Sequence, residues 1–155
     1  MMKFTVHFLS SIALAGVLFP FVGLVPAALV FLGGWTVDLD HYLWYIIKYK
    51  KFGMAECNRF FTVDSRTNNS RHFRGSFMPA HTIEFIVLMA FLSFYSKYAM
   101  YYSIGLALHF LLDFLSFLLI EKDFPLVHSI IYWTIRKNIK NFKAANHARK
   151  FKNFK

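Results

Sequence analysis

From Phe4 to Val37 the chain runs for 34 residues without a lysine, arginine, aspartate or glutamate. As a single helix that run would be about 51 Å long at ~1.5 Å per residue, whereas the hydrocarbon core of a bilayer is only about 30 Å thick. The run must break. Phe19-Pro20-Phe21-Val22-Gly23 provides the place, because proline lacks an amide donor and glycine accepts turn geometry. Phe85 to Ile120 repeats the arithmetic: 36 residues, charged only at Lys97 and Asp113, with Ser96-Lys97 as the turn. The pattern predicts four membrane helices at about 4–19, 23–37, 82–95 and 99–120, the second of them short for a full span. The expected fold class is therefore all-α, a four-helix transmembrane bundle with interfacial helices. Residues 1–122 would form the helical domain, interrupted by a polar loop at about 48–79 that Asn68-Asn69-Ser70 marks as irregular. Tyr42, Trp44, Tyr45 and Tyr49 place a helix at headgroup level ahead of that loop. Residues 123–155 read as a basic amphipathic tail, in which Val127 to Lys143 mixes isoleucines with Arg136, Lys137 and Lys140 as an interfacial helix does.

Composition agrees with this pattern. The 155 residues are 57% hydrophobic and only 17% charged, against roughly 25% charged in an ordinary soluble domain, and the mean hydropathy is +0.41. A disordered nucleic-acid-binding tail is excluded. The net charge of +10 becomes a topology signal once its distribution is read. With the N-terminus in the cytoplasm, Lys3, the seven basic residues from Lys48 to Arg74 and the nine from Lys122 to Lys155 share one side, 17 of 18 in all, leaving Lys97 outside. Both termini are then cytoplasmic, the chain is multi-pass, its partner is the lipid bilayer, and no specific nucleic acid is expected. The first residues also imitate a secretory signal, ending in Ala13-Leu14-Ala15-Gly16, but the apolar run continues well past Ala15, which a removable peptide does not need. One cysteine, Cys57, excludes an internal disulfide and a paired-cysteine zinc site.

Several polar residues are out of place in such a chain. Asp113 lies in the fourth predicted helix with His109 four residues before it, so both share one face. A carboxylate there costs about 2.5 to 3.5 kcal/mol on insertion scales and needs a partner. Tyr102, Gly105 and Ser116 lie on the same stripe, which should turn inward. His81 and Glu84 open the third helix as an i, i+3 pair, Asp38-Leu39-Asp40-His41 follows the second, and His7 begins the first. His7, Asp38, Asp40, His41, His81 and Glu84 fall at the inner-leaflet ends of their helices, and Asp113 within two turns of the inner end of the fourth. Four segments thus bring imidazoles and carboxylates to one depth, a donor set that suits zinc first, with manganese or iron as alternatives. The candidate metal ligands are His7, Asp38, Asp40, His41, His81, His109 and Asp113, some of the aspartates serving to orient histidines rather than to touch metal. Glu84 and Asp40 are the candidate catalytic carboxylates, Glu84 as general base. His128 and His147 are weaker candidates.

In this order the motifs resemble those of the membrane-bound metal-dependent hydrolase family, which includes the LexA-binding inner-membrane hydrolases. His7, Asp38-Leu39-Asp40-His41, Pro79-Ala80-His81-Thr82 and His109-Phe110-Leu111-Leu112-Asp113 occupy the places of that family's motifs, over most of residues 1–120. Val37 stands where the family has proline, and its compact His-Arg-Gly is represented by His72-Phe73-Arg74-Gly75, with five residues intervening before His81. The resemblance implies a divergent member: a divalent-metal-dependent hydrolase in a prokaryotic cytoplasmic membrane, acting at the inner leaflet on a phosphoester or lipid-like substrate. Arg71, Arg74 and the lysines from Lys48 to Lys51 suit an anionic headgroup, as a solvated basic loop also would. The alternative is a non-enzymatic membrane protein, a proton or metal-ion relay, a transporter or a partner-binding adaptor, using the same His/Asp set.

Overall fold

The structure, a computed structural model, describes residues 4–61, 78–116, 118–119, 129–131 and 134–135. Among these the regular elements are helical, with no strand. Helix α1 (Phe4–Val22) and α2 (Leu24–Trp35) are followed by a 3-10 turn at Thr36–Asp38, then α3 (Leu39–Tyr49) and α4 (Met54–Arg59). A second 3-10 turn at Pro79–His81 leads into α5 (Ile83–Ser93) and α6 (Lys97–Ser116). His72 and Arg74, most of the polar loop, His128, His147 and most of the basic tail lie outside the described residues.

The first break falls later than the proline predicts. Pro20 is inside α1, two residues from its end, where a missing amide and a crowded preceding turn disturb little downstream helix. The chain turns instead at Gly23, whose φ of +81° is open to glycine and strained for other residues. Helix α2 also stops earlier than expected. Its backbone tightens at Thr36, whose hydroxyl donates to the Leu32 carbonyl at 2.7 Å and meets the Tyr102 hydroxyl at 2.9 Å. Helix α5 is shorter than its predicted span as well; Thr82 starts it, its side-chain oxygen accepting from the Phe85 amide at 3.2 Å.

These lengths change the membrane arithmetic. Helices α1 and α6, of 19 and 20 residues, reach about 28 and 30 Å, and both are long and apolar enough to cross a membrane. Helices α2 and α5, of 12 and 11 residues, reach only about 18 and 16 Å, roughly half the hydrocarbon thickness. Two described helices, rather than four, therefore meet the requirement for spanning. The predicted loop is also more ordered at its start than its polarity suggests, since α3 runs on to Tyr49 and α4 follows.

Helix α2 packs between α1 and α6. The contact is made by absent side chains: a Cβ on Gly33 would run into the Tyr102 carbonyl, one on Gly34 into the Ser11 hydroxyl, and one on Gly105 into the Val30 carbonyl. Backbones of α2 and α6 thus touch, as small residues permit in apolar surroundings. Phe8, Phe31 and Trp35 seal the α1–α2 side, with Phe31 and Trp35 stacked at 5.6 Å. A separate core of Tyr45, Cys57, Phe61 and Met78, flanked by Trp44 and Phe60, ties α3 to α4. Much of the outer surface is apolar, with Phe21 and Phe94 among its most exposed residues.

Candidate metal centre

Every imidazole and carboxylate in the predicted ligand set is buried, from fully so at His7 and His109 to 9% exposed at Asp40. Four stretches deliver them. His7 sits in the first turn of α1, Asp38 closes the first 3-10 turn, and Asp40 and His41 lie in the first turn of α3. His81 closes the second 3-10 turn, and His109 and Asp113 occupy one face of the last turns of α6. The start of α1 therefore meets the end of α6, and the cluster lies at one end of the two long apolar helices.

The donors form two groups, His7 with His109 and Asp113, and Asp38 with His41 and His81, each with ligand atoms within 4.8 Å of one another. Either group can hold a metal ion. In the first, the His7 Nε2 lies 3.3 Å from Asp113 Oδ1 and the His7 and His109 rings stack at 4.0 Å. In the second, Asp38 Oδ1 lies 3.8 Å from His41 Nδ1 and 4.0 Å from His81 Nε2. The groups meet where the Nε2 atoms of His81 and His109 face each other at 3.3 Å.

That facing pair is informative because the far side of each ring is assigned. His109 Nδ1 lies 2.9 Å from the Gly34 carbonyl, which can only accept, so Nδ1 carries the proton. His81 Nδ1 lies 3.1 Å from Asp40 Oδ2, which also accepts from the Ala80 amide at 3.2 Å. Burial alone would raise the Asp40 carboxyl, but hydrogen bonds and charge from His41 and His81 outweigh it and hold the group well below the usual carboxylate range. An ionised Asp40 requires the proton on His81 Nδ1. Burial and neighbouring His41 favour the neutral form of His81 and push it below the ordinary imidazole range, against the attraction of Asp40. The Nε2 atoms of His81 and His109 thus face each other at 3.3 Å, a contact that takes either a proton between them or a cation that both ligate.

A cation fits that space. Two nitrogens held about 2.0–2.1 Å from one ion at a tetrahedral angle lie about 3.3 Å apart. Asp113 Oδ2 lies 3.5 Å from His109 Nε2 and 4.0 Å from His81 Nε2. Asp38 Oδ1 lies 3.8 Å from His109 Nε2. Among the described residues no lysine or arginine pairs with Asp38 or Asp40. Asp38 Oδ2 is buried without a hydrogen-bond partner, a condition that a ligated ion removes.

The sequence-predicted residues divide by placement. Asp38 and Asp113 each place a carboxylate oxygen within 4.0 Å of both His81 Nε2 and His109 Nε2; His7 adjoins Asp113 and His41 adjoins Asp38. Asp40 faces the Nδ1 sides of His41, at 2.7 Å, and His81, so it orients imidazoles from behind. Glu84 is not in either donor group: its carboxylate accepts from the Ser129 hydroxyl and from the amides of Ile130 and Ile131. Sequence reading missed the Gly34 carbonyl, a backbone group that no residue type advertises; the adjacent Gly33-Gly34 pair was its only trace.

No protein-family model, curated protein or solved structure matches this chain.

Proposed function

We propose that the chain is a divalent-metal-dependent hydrolase of a prokaryotic cytoplasmic membrane, with its site at the membrane–water boundary. The carrying observation is the pair of Nε2 atoms at 3.3 Å, with Asp38 and Asp113 beside them. His81, His109, Asp38 and Asp113 would hold the ion, with zinc the first expectation for nitrogen and oxygen donors, and manganese or iron alternatives. A divalent cation there supplies Lewis-acid chemistry for hydrolysis at neutral pH. Asp40 and the Gly34 carbonyl keep both imidazoles in the ligating tautomer. The apolar surfaces of α1 and α6 support membrane insertion, and the one-sided distribution of Lys and Arg supports cytoplasmic termini. A cluster near the ends of those helices suits a phosphoester or lipid-like substrate at the inner leaflet. The motif order shared with the membrane-bound metal-dependent hydrolases supports the same reading.

One observation favours a second reading, a proton relay without hydrolysis: 3.3 Å is also a hydrogen-bond length that a single shared proton satisfies between two imidazoles. Metal analysis of detergent-purified protein, beside a His81→Ala/His109→Ala variant, separates them. The hydrolase reading expects stoichiometric metal in the parent and little in the variant, with turnover of a phosphoester or phospholipid panel only by the parent. Equal metal in both removes the site. Bound metal with no hydrolysis across the panel overturns the enzymatic reading, and a metal-free parent leaves the relay.

A further inference from the structure

Helix α3 has two apolar stripes and protein covers only one. His41 and Tyr45 are buried, against the aromatic core that continues into α4. Leu43 and Ile47, four residues apart on another face, are 58% and 68% exposed, and Phe52 just beyond the helix is 73% exposed. Between His41 and Ala55 the sequence has three lysines and no acid. The Lys48 Nζ lies over the Trp44 ring at 4.4 Å and 5.3 Å from the Tyr49 ring centre, a grouping of ammonium and amphipathic rings suited to a headgroup layer. Lys51 is partly offset by Glu56 at 3.4 Å; Lys48 and Lys50 have no acidic partner among the described residues.

We infer that Leu43, Ile47 and Phe52, with Lys48 and Lys50, seat α3 on a leaflet of anionic phospholipid. The inference rests on the membrane placement proposed above and is independent of the metal and of hydrolysis. Charge selects the occupant. The chain's own tail brings nine lysines and arginines between Lys122 and Lys155, and a second copy of α3 would bring its own lysines, so both meet like charge. An anionic leaflet accepts the apolar stripe and the lysines together. Asp40 and His41 lie in the first turn of this same helix, so the leaflet also fixes the depth of that side of the cluster.

The full-length chain, with Cys57→Ala, is reconstituted in phosphatidylcholine vesicles with or without phosphatidylglycerol. A nitroxide is placed through Leu43→Cys and, separately, through Val17→Cys on exposed α1. Power-saturation measurements compare collision with a polar nickel chelate and with oxygen. The expected result is lipid immersion of Val17 in both vesicles, and a severalfold fall in nickel access at Leu43 only with phosphatidylglycerol, reversed by Lys48→Gln/Lys50→Gln. Water exposure at Leu43 in both vesicles, with Val17 immersed, overturns this inference alone. Immersion at Leu43 regardless of phosphatidylglycerol or the lysines also overturns it. Water exposure at both labels overturns the inference together with membrane placement, while metal content measured on the same preparations tests the hydrolase reading separately.

Discussion

Replacing Gly105 by alanine tests whether the helix contact and the candidate site form one structure. An added methyl would collide with the Val30 carbonyl oxygen and lie 2.7 Å from the Gly34 amide nitrogen and 2.9 Å from the Val30 carbonyl carbon. These are backbone atoms of α2, so no rotamer change relieves the clash. Restoring ordinary contact requires the backbones of α2 and α6 to move apart. Overpacking of this kind costs typically 1–3 kcal/mol, and a backbone clash belongs at the upper end. At about 3 kcal/mol, a chain of this size should lose roughly 6–12 °C in Tm. The same separation draws the Gly34 carbonyl from His109 Nδ1, now 2.9 Å away, and loss of such an orienting contact weakens metal binding about 10–100-fold. Thermal unfolding in detergent and metal competition titration measure the two effects. Gly16→Ala is the control, since nothing lies within 4 Å of its added methyl and alanine favours the helix. If Gly105→Ala melts with the parent, or melts lower while binding metal unchanged, the coupling of α2–α6 contact to the site is refuted.

Two further outcomes follow from the buried polar groups. Asp40→Asn keeps the size of the side chain but removes the charge that holds the His81 proton on Nδ1, so metal affinity should fall about 10–100-fold with little change in helix content; titration and circular dichroism on one sample check both, and unchanged affinity argues against the orienting role. Burial, aided by the charge of Asp38, pushes the Cys57 thiol up to about 11, so native protein should resist alkylation at pH 8 while denatured protein, titrating near ~8.5, reacts quickly. Because the folded state retains that proton longer, Cys57 should lower stability as pH rises from about 8.5 toward 11; equal native and denatured alkylation rates would contradict the burial.

Local signals in the sequence marked the helices well but not their ends. Pro20 looked like the obvious breaker, yet its position two residues before the end of α1 left the decision to Gly23, which alone takes a left-handed turn there. Apolar length suggested four spans, but the stretches 23–37 and 82–95 were short from the outset, and the structure trims them to helices of 12 and 11 residues. Side-chain chemistry gave the candidate cluster because His7, Asp38, His41, His81, His109 and Asp113 are the polar exceptions in apolar surroundings. Its wiring was not legible: Asp40 works from behind two imidazoles, and Gly34 contributes through its carbonyl. Glu84 shows the limit of helical spacing: His81 closes a 3-10 turn and the helix begins only at Ile83, so the two share no helix face, and the carboxylate meets the start of a distant segment.

The donors of the two adjoining groups are spread over most of the described chain, from His7 to Asp113. Such contacts close long loops whose entropy must be met before the contact returns anything, and topologies dominated by them form slowly. The pocket is thus among the last parts of the molecule to be assembled. A cation arriving during synthesis would find only isolated imidazoles; a complete receptacle exists once α6 has returned to the start of α1.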